Sequence, residues 1–341
     1  EALEVLTTAW DPRDPELGLL SARAKILLGD VSGAAADARR GLRQGPAPEL
    51  RLQLDNVLGL ALFYGGEVDD ACAVLESSLA RGARFSPLPE EALARIENSL
   101  GMLYQQLERL DDAQQSYASA LARFRRLGDP SRGATCALNL GTVTHQRGLL
   151  GNALAAYRGA QELAQRTVTE GEGAGGRIEA TWALANEGNL LSDLGAFEQA
   201  AVVLELADRR AAAHGSDSLR GHVALYQADL ARLRGELGAA EELLREARGC
   251  FEERDARGRF EAALLAGELA LARGDGRTGA AALRELEARP SAQRRADAST
   301  LWLAARLQRL PGGSERRAAD LVERALALGA TKPPRFVLAA A

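Results

Sequence analysis

Apolar and small residues recur at helical spacing along almost the whole chain, in paired blocks broken by glycine. The clearest pair lies in residues 134–160. Leu138, Gly141 and Val143 mark one helix face, Gly148 interrupts the pattern, and Leu150, Ala153, Tyr157 and Ala160 mark a second face. Steps of three and four residues put such side chains on one side of a helix. A glycine between two such blocks signals a turn. The order repeats, and it predicts helix pairs over residues 15–44, 52–81, 90–127, 134–166, 177–213, 221–254, 260–288 and 296–328. Leu3, Leu6 and Trp10 predict one further helix in residues 1–12, the second helix of a truncated preceding repeat. Residues 333–341, opened by Pro333-Pro334, are expected to be a capping segment or the start of a following domain.

The first block of each pair carries one small residue in a fixed place. These are Ala22, Gly59, Gly101, Gly141, Gly188, Ala228, Gly267 and about Ala305. The first seven are spaced 37, 42, 40, 47, 40 and 39 residues apart. A glycine inside a helix costs about 1 kcal/mol against alanine. Its return at one register therefore predicts a point where two helix axes approach closely.

In residues 90–127 the order is Leu100-Gly101, Tyr104, Ala113, Tyr117 and Ala120. This order resembles the tetratricopeptide repeat, a helix–turn–helix unit of about 34 residues. The longer spacing here is similar to that of kinesin light chains, Pins-type spindle adaptors, Rap-type regulators and maltose-regulator-like sensor arms. So are the segments Arg126-Leu127-Gly128-Asp129, Asn139-Leu140-Gly141 and Asn186-Glu187-Gly188. The resemblance implies an all-α, right-handed α-solenoid of about eight repeats over residues 13–332. It also implies a protein- or peptide-binding scaffold, the regulatory or partner-recognition arm of a larger bacterial signalling protein. An autoregulatory spacer controlling a fused kinase, protease or DNA-binding domain is the alternative. A small-molecule sensor is a third reading.

In the resembled family, ligands lie on the concave face lined by first helices. Relative to the small residue, the groove positions are six, three and two before it, one after it, and four or five after it. That register selects Arg95, Asn98 and Gln106, then Asn139, Thr142 and Gln146, then Trp182, Asn186, Asn189 and Asp193, then Tyr226 and Asp229. Met102, Thr135, His145, His222 and Arg232 fall at groove positions too. An asparagine amide can donate to and accept from an extended backbone at once. Trp182 and Tyr226 add apolar area with a polar handle. The family's carboxylate clamp is absent, because Asn56 is followed by Leu60, Asn98 by Met102, and Leu138 stands before Thr142.

Charge narrows the partners. The net charge of −5 argues against a nucleic-acid partner for this segment. Residues 281–341 hold eleven basic and six acidic residues, read as a solvated arginine-rich face or a dock for an acidic domain of the same chain. No run of 18 apolar residues is present, so no membrane span is expected. Cys72, Cys136 and Cys250 are odd in number and far apart, which fits reduced, mostly buried thiols in a cytoplasmic protein. The chain opens with Glu1 inside a helical pattern, so it is expected to be a piece of a longer protein.

Chemistry is sparse. His145, His214 and His222 show no metal-ligand spacing, so no metal is expected. Residues 171–176 match G-x-G-x-x-G but follow a predicted helix rather than a strand, so a loop is expected and no cofactor. Asp69-Asp70, Asp111-Asp112 and Glu241-Glu242 sit at or near second-helix starts, where acids complement the helix dipole. No catalysis is expected in this chain.

Overall fold

The computed structural model describes residues 14–169, 175–252, 255–288 and 298–329. The expected helix in residues 1–12, the segment 333–341, Arg294-Arg295 and residues 171–174 of the glycine-rich stretch lie outside the described residues. Among the described residues there are sixteen α-helices and no strand. The chain divides into two compact units, residues 1–180 and 181–341.

The first unit holds four helix pairs. These are α1 (Pro15–Leu27) with α2 (Val31–Arg43), α3 (Pro48–Tyr64) with α4 (Val68–Gly82), α5 (Glu90–Gln106) with α6 (Leu110–Leu127), and α7 (Pro130–Gln146) with α8 (Leu150–Thr169). The second unit begins within α9 (Gly175–Asp193), which pairs with α10 (Phe197–His214). It continues with α11 (Asp217–Leu233) and α12 (Leu237–Cys250), α13 (Ala256–Arg273) and α14 (Gly276–Glu287), and α15 (Ala298–Leu307) and α16 (Glu315–Gly329).

Several first helices start about one turn before the apolar periodicity does, at Pro48, Pro130, Asp217 and Ala256. Three of these four starts are capped by the side chain just before the helix. Asp129 accepts from the Arg132 N–H at 2.9 Å, Ser216 from Leu219 at 3.4 Å and Asp255 from Gly258 at 2.9 Å. Such side chains satisfy N–H groups that have no partner within the helix.

The turn inside each pair is one motif repeated. The residue seven after the small residue has positive φ in every pair: Gly29, Gly66, Glu108, Gly148, Gly195, Gly235, Gly274 and Gly312. In the first seven pairs the next N–H closes a six-to-one bond on the first helix, for example Asp30 to the Lys25 carbonyl at 2.9 Å and Leu149 to Thr144 at 2.9 Å. This is the Schellman arrangement, which needs a left-handed residue and so favours glycine. Glu108, at φ 58°, is the exception in residue type.

The small residue packs where the sequence register places it. A Cβ built on Gly59, Gly101, Gly141 or Gly188 would stand 2.5–2.6 Å from a side chain sixteen residues later, respectively Leu75, Tyr117, Tyr157 and Leu204. Four residues before those partners stand Ala71, Ala113, Ala153 and Ala200, all fully buried. Each second helix thus offers an alanine and then a large side chain to one notch in the first helix. Gly267 departs from this register. Its added Cβ would meet Leu303 and Leu307 of α15 at 3.2 Å, so this notch receives the next first helix instead.

Candidate functional site

The twelve candidate residues fall in two groups, one in each unit. In the first unit, α5 supplies Arg95, Asn98 and Gln106, and α7 supplies Asn139, Thr142 and Gln146. Asn139 Nδ2 donates to Asn98 Oδ1 at 3.2 Å, joining neighbouring first helices. The Cys136 thiol donates to the same oxygen at 3.4 Å, and burial pushes its pKa up to about 12, so it keeps its proton. Thr142 is turned back onto its own helix, its Oγ1 donating to the Leu138 carbonyl at 3.1 Å. Gln106 and Gln146 are exposed at the helix ends.

Gln105, four residues after Gly101 and so also within the register, does more in the structure than the candidate Gln106. Its Nε2 donates to Gln146 Oε1 at 3.0 Å, and its Oε1 accepts from the Tyr117 hydroxyl at 3.1 Å. It therefore joins two repeats and anchors the ring that fills the Gly101 notch.

Arg95 belongs to a larger charged group. Its Nη2 donates to Glu91 at 2.8 Å, and Arg132 of α7 stands 3.6 Å from the same carboxylate. Arg132 also pairs with Asp129. On α1, Arg23 donates from Nη2 to Gln53 Oε1 of α3 at 3.2 Å. Burial, and then the charges of Arg95 and Arg132, lower the Arg23 pKa from its ordinary value. Three guanidinium groups from α1, α5 and α7 thus share one field. Arg23 and Gln53 occupy groove positions by the same register, but Arg132, nine residues before Gly141, lies outside it.

In the second unit, α9 supplies Trp182, Asn186, Asn189 and Asp193, and α11 supplies Tyr226 and Asp229. The Tyr226 hydroxyl donates to Asn186 Oδ1 at 3.1 Å, again linking neighbouring first helices. Asp229 accepts from Arg232 Nε at 2.7 Å. Trp182 and Asn189 are half-buried, and Asp193 is exposed.

Two histidines at groove positions are buried instead. His145 is 6% exposed and meets the Tyr157 ring edge-on, with centroids 6.4 Å apart. The position four residues after the small residue rolls under the helix toward its partner, so it is a packing position here. His222 is 3% exposed and lies between Trp182 and Phe251, with centroids 4.9 and 5.1 Å away. Its Nδ1 donates to the Ser218 carbonyl at 2.8 Å, because a carbonyl can only accept. Its Nε2 faces Glu261, 3.6 Å away, and Glu261 also accepts from Arg257 at 2.8 Å. Trp182 therefore rests on an ordered aromatic support.

Known proteins match at the level of sequence family and fold. Residues 92–166 match the family model described as Tetratricopeptide repeat. No curated protein matches the chain. A tetratricopeptide repeat protein from Parabacteroides merdae is similar in structure at 15% identity, with a TM-score of 0.55, covering 92% of this chain and 98% of that one. NprR in complex with its cognate peptide NprX is similar at 17% identity, TM-score 0.63, covering 92% and 86%. A Rap protein complexed with Competence and Sporulation Factor is similar at 12% identity, TM-score 0.66, covering 94% and 87%. With its notched helix pairs and left-handed turns, the chain has a TPR-like helical repeat fold, and its residues 92–166 match the tetratricopeptide repeat model.

Proposed function

We propose that the chain is a protein- or peptide-binding scaffold, the partner-recognition arm of a larger bacterial signalling protein that works in the cytoplasm. The observation that carries this reading is the pair of side-chain bridges between first helices, Asn98–Asn139 and Asn186–Tyr226. Each fixes a polar side chain on the face where repeat proteins of this kind receive ligands. Each also leaves capacity on the amide, since an asparagine has two donors and a carbonyl with two lone pairs. Half-buried Trp182 supplies a large aromatic surface beside the second bridge, held from behind by His222. NprR, of similar fold, is in complex with its cognate peptide NprX, and the Rap protein is complexed with Competence and Sporulation Factor.

The test is selection from a random peptide library on the purified full chain, followed by titration of the strongest binder. A scaffold of this kind should yield a peptide whose affinity falls in Trp182→Ala. Failure to enrich any peptide would sink the reading and favour an autoregulatory spacer that acts only on domains of its own chain.

A further inference from the structure

The first-helix face of the first unit carries a chemistry that the amide positions do not explain. On α1, Leu20, Arg23 and Leu27 follow one another at three- and four-residue steps and share one stripe. Leu20 is 49% exposed and Leu27 is 88% exposed. On α3, Gln53 and Tyr64 stand eleven residues apart, three turns along the same side, and Tyr64 is 52% exposed. The Arg23 guanidinium reaches across to Gln53, a neutral partner, and no described carboxylate lies within ion-pair distance of it. Arg95 and Arg132 of the neighbouring repeats are already met by Glu91 and Asp129, whereas Arg23 is not.

We infer that this face binds an acidic–apolar segment of a partner protein, with a side-chain carboxylate on Arg23 and apolar side chains against Leu20, Leu27 and Tyr64. The inference rests on the peptide-binding reading and names the chemistry of the peptide. Charge complementarity selects the acid. A guanidinium whose one bond among the described residues goes to a neutral amide has donors suited to a carboxylate, which it can meet in bidentate geometry. The placing of the leucines selects a side-chain carboxylate over a chain terminus. Arg23 has an exposed leucine about one turn away on each side, so an acid seated there is flanked by apolar residues in both directions. The mode is separate from the family's carboxylate clamp, whose residues this chain lacks.

The experiment uses the full chain and a displayed library of random twelve-residue peptides. Enriched peptides should carry Asp or Glu between Leu, Ile or Phe. The best one, synthesised with a fluorophore, should lose at least tenfold in affinity to Arg23→Gln and severalfold to Leu27→Ser. Replacing its central acid by the amide should cost as much on the native chain but little further on Arg23→Gln. Raising the salt concentration should weaken binding, and Arg23→Lys should recover part of the loss. If Arg23→Gln melts early, Arg23→Lys and the amide peptide still read the contact. Enriched peptides without acidic bias, insensitive to Arg23→Gln yet weakened by Trp182→Ala, would overturn the inference and leave peptide binding standing. An affinity lost on amidating the peptide's C-terminus would overturn the choice of a side-chain carboxylate. No enrichment at all would overturn both readings.

Discussion

The Tyr117 ring lies against the backbone of Gly101, sixteen residues before it, so closely that a Cβ on the glycine would stand 2.6 Å from two ring carbons. The tyrosine hydroxyl then reaches Gln105 on the same first helix at 3.1 Å. One side chain thus fills the notch between two helices and ties off its own polar end. Tyr157 repeats the first half of this arrangement against Gly141.

A methyl group at such a notch should be costly. Gly141→Ala puts a Cβ 2.5 Å from the Tyr157 ring, which is 1% exposed and has little room to yield. Overpacking of this kind costs about 1–3 kcal/mol. Gly159 lies inside α8 and an added Cβ there would meet only Arg125, at 3.9 Å. Gly159→Ala should stabilise by up to about 1 kcal/mol, the helix-propensity difference. Chemical denaturation of the two variants checks the pair, and the reverse order would remove the notch as the reason for the small residue.

The turn offers a stabilising change. Glu108 holds a left-handed conformation that costs a residue with a Cβ about 1–2 kcal/mol. The corresponding residue in the other pairs is glycine. Glu108→Gly should raise stability by about 0.5–1 kcal/mol, less than the full strain because glycine gains freedom in the unfolded chain. A lower melting temperature for the variant would show that the side chain contributes more than the strain removes.

These two features were legible from sequence because each restricts residue type. A notch admits only Gly or Ala, and a left-handed turn prefers Gly, so both leave a periodic mark. The His222 cluster left no such mark. Its burial depends on Phe251, which arrives from the end of α12, and on Gly221 and Gly258, which make room for that ring. Those residues are distant in sequence and carry no shared periodicity. The arginine group was half legible. Arg23 and Arg95 fit the groove register, but the convergence of Arg95 and Arg132 on Glu91 depends on side-chain reach across repeats.

Acid should weaken the start of α13. Burial alone would raise the Asp255 pKa, but it is outweighed. Hydrogen bonds from Ser218 Oγ at 2.6 Å and the Gly258 N–H at 2.9 Å, with the charges of His222 and Arg257, lower it below the ordinary aspartate value. A carboxyl depressed in the folded state contributes stability above its unfolded pKa and loses it as pH falls through the folded one. The native chain should therefore lose more stability than Asp255→Asn between neutral pH and about pH 3, below the ordinary aspartate pKa. Parallel pH curves for the two proteins would show that the cap carries no charge-dependent share.

The last prediction separates binding from folding on the first-helix face. Asn139 and Asn186 each hold a bond between repeats, so replacing either should cost about 0.5–1.5 kcal/mol of stability as well as any binding. Tyr226→Phe should behave likewise, because it removes the donor that orients Asn186. Asn189 is one residue past Gly188, half-buried, and turned away from the notch that Leu204 fills. Asn189→Ala should leave the melt unchanged and weaken a selected peptide by about 0.5–1.5 kcal/mol, the worth of one hydrogen bond. Trp182→Ala should cost about 2 kcal/mol or more of binding if the ring is an anchor, as buried aromatics at interfaces commonly are. It should cost stability too, since its ring packs on His222, and Trp182→Phe should restore the fold better than the affinity. Titration calorimetry and thermal melts on these variants give both axes. A peptide that binds the variants at Trp182, Asn186, Asn189 and Tyr226 as it binds the native chain would move the contact off the second unit's first helices and onto the arginine-bearing face of the first.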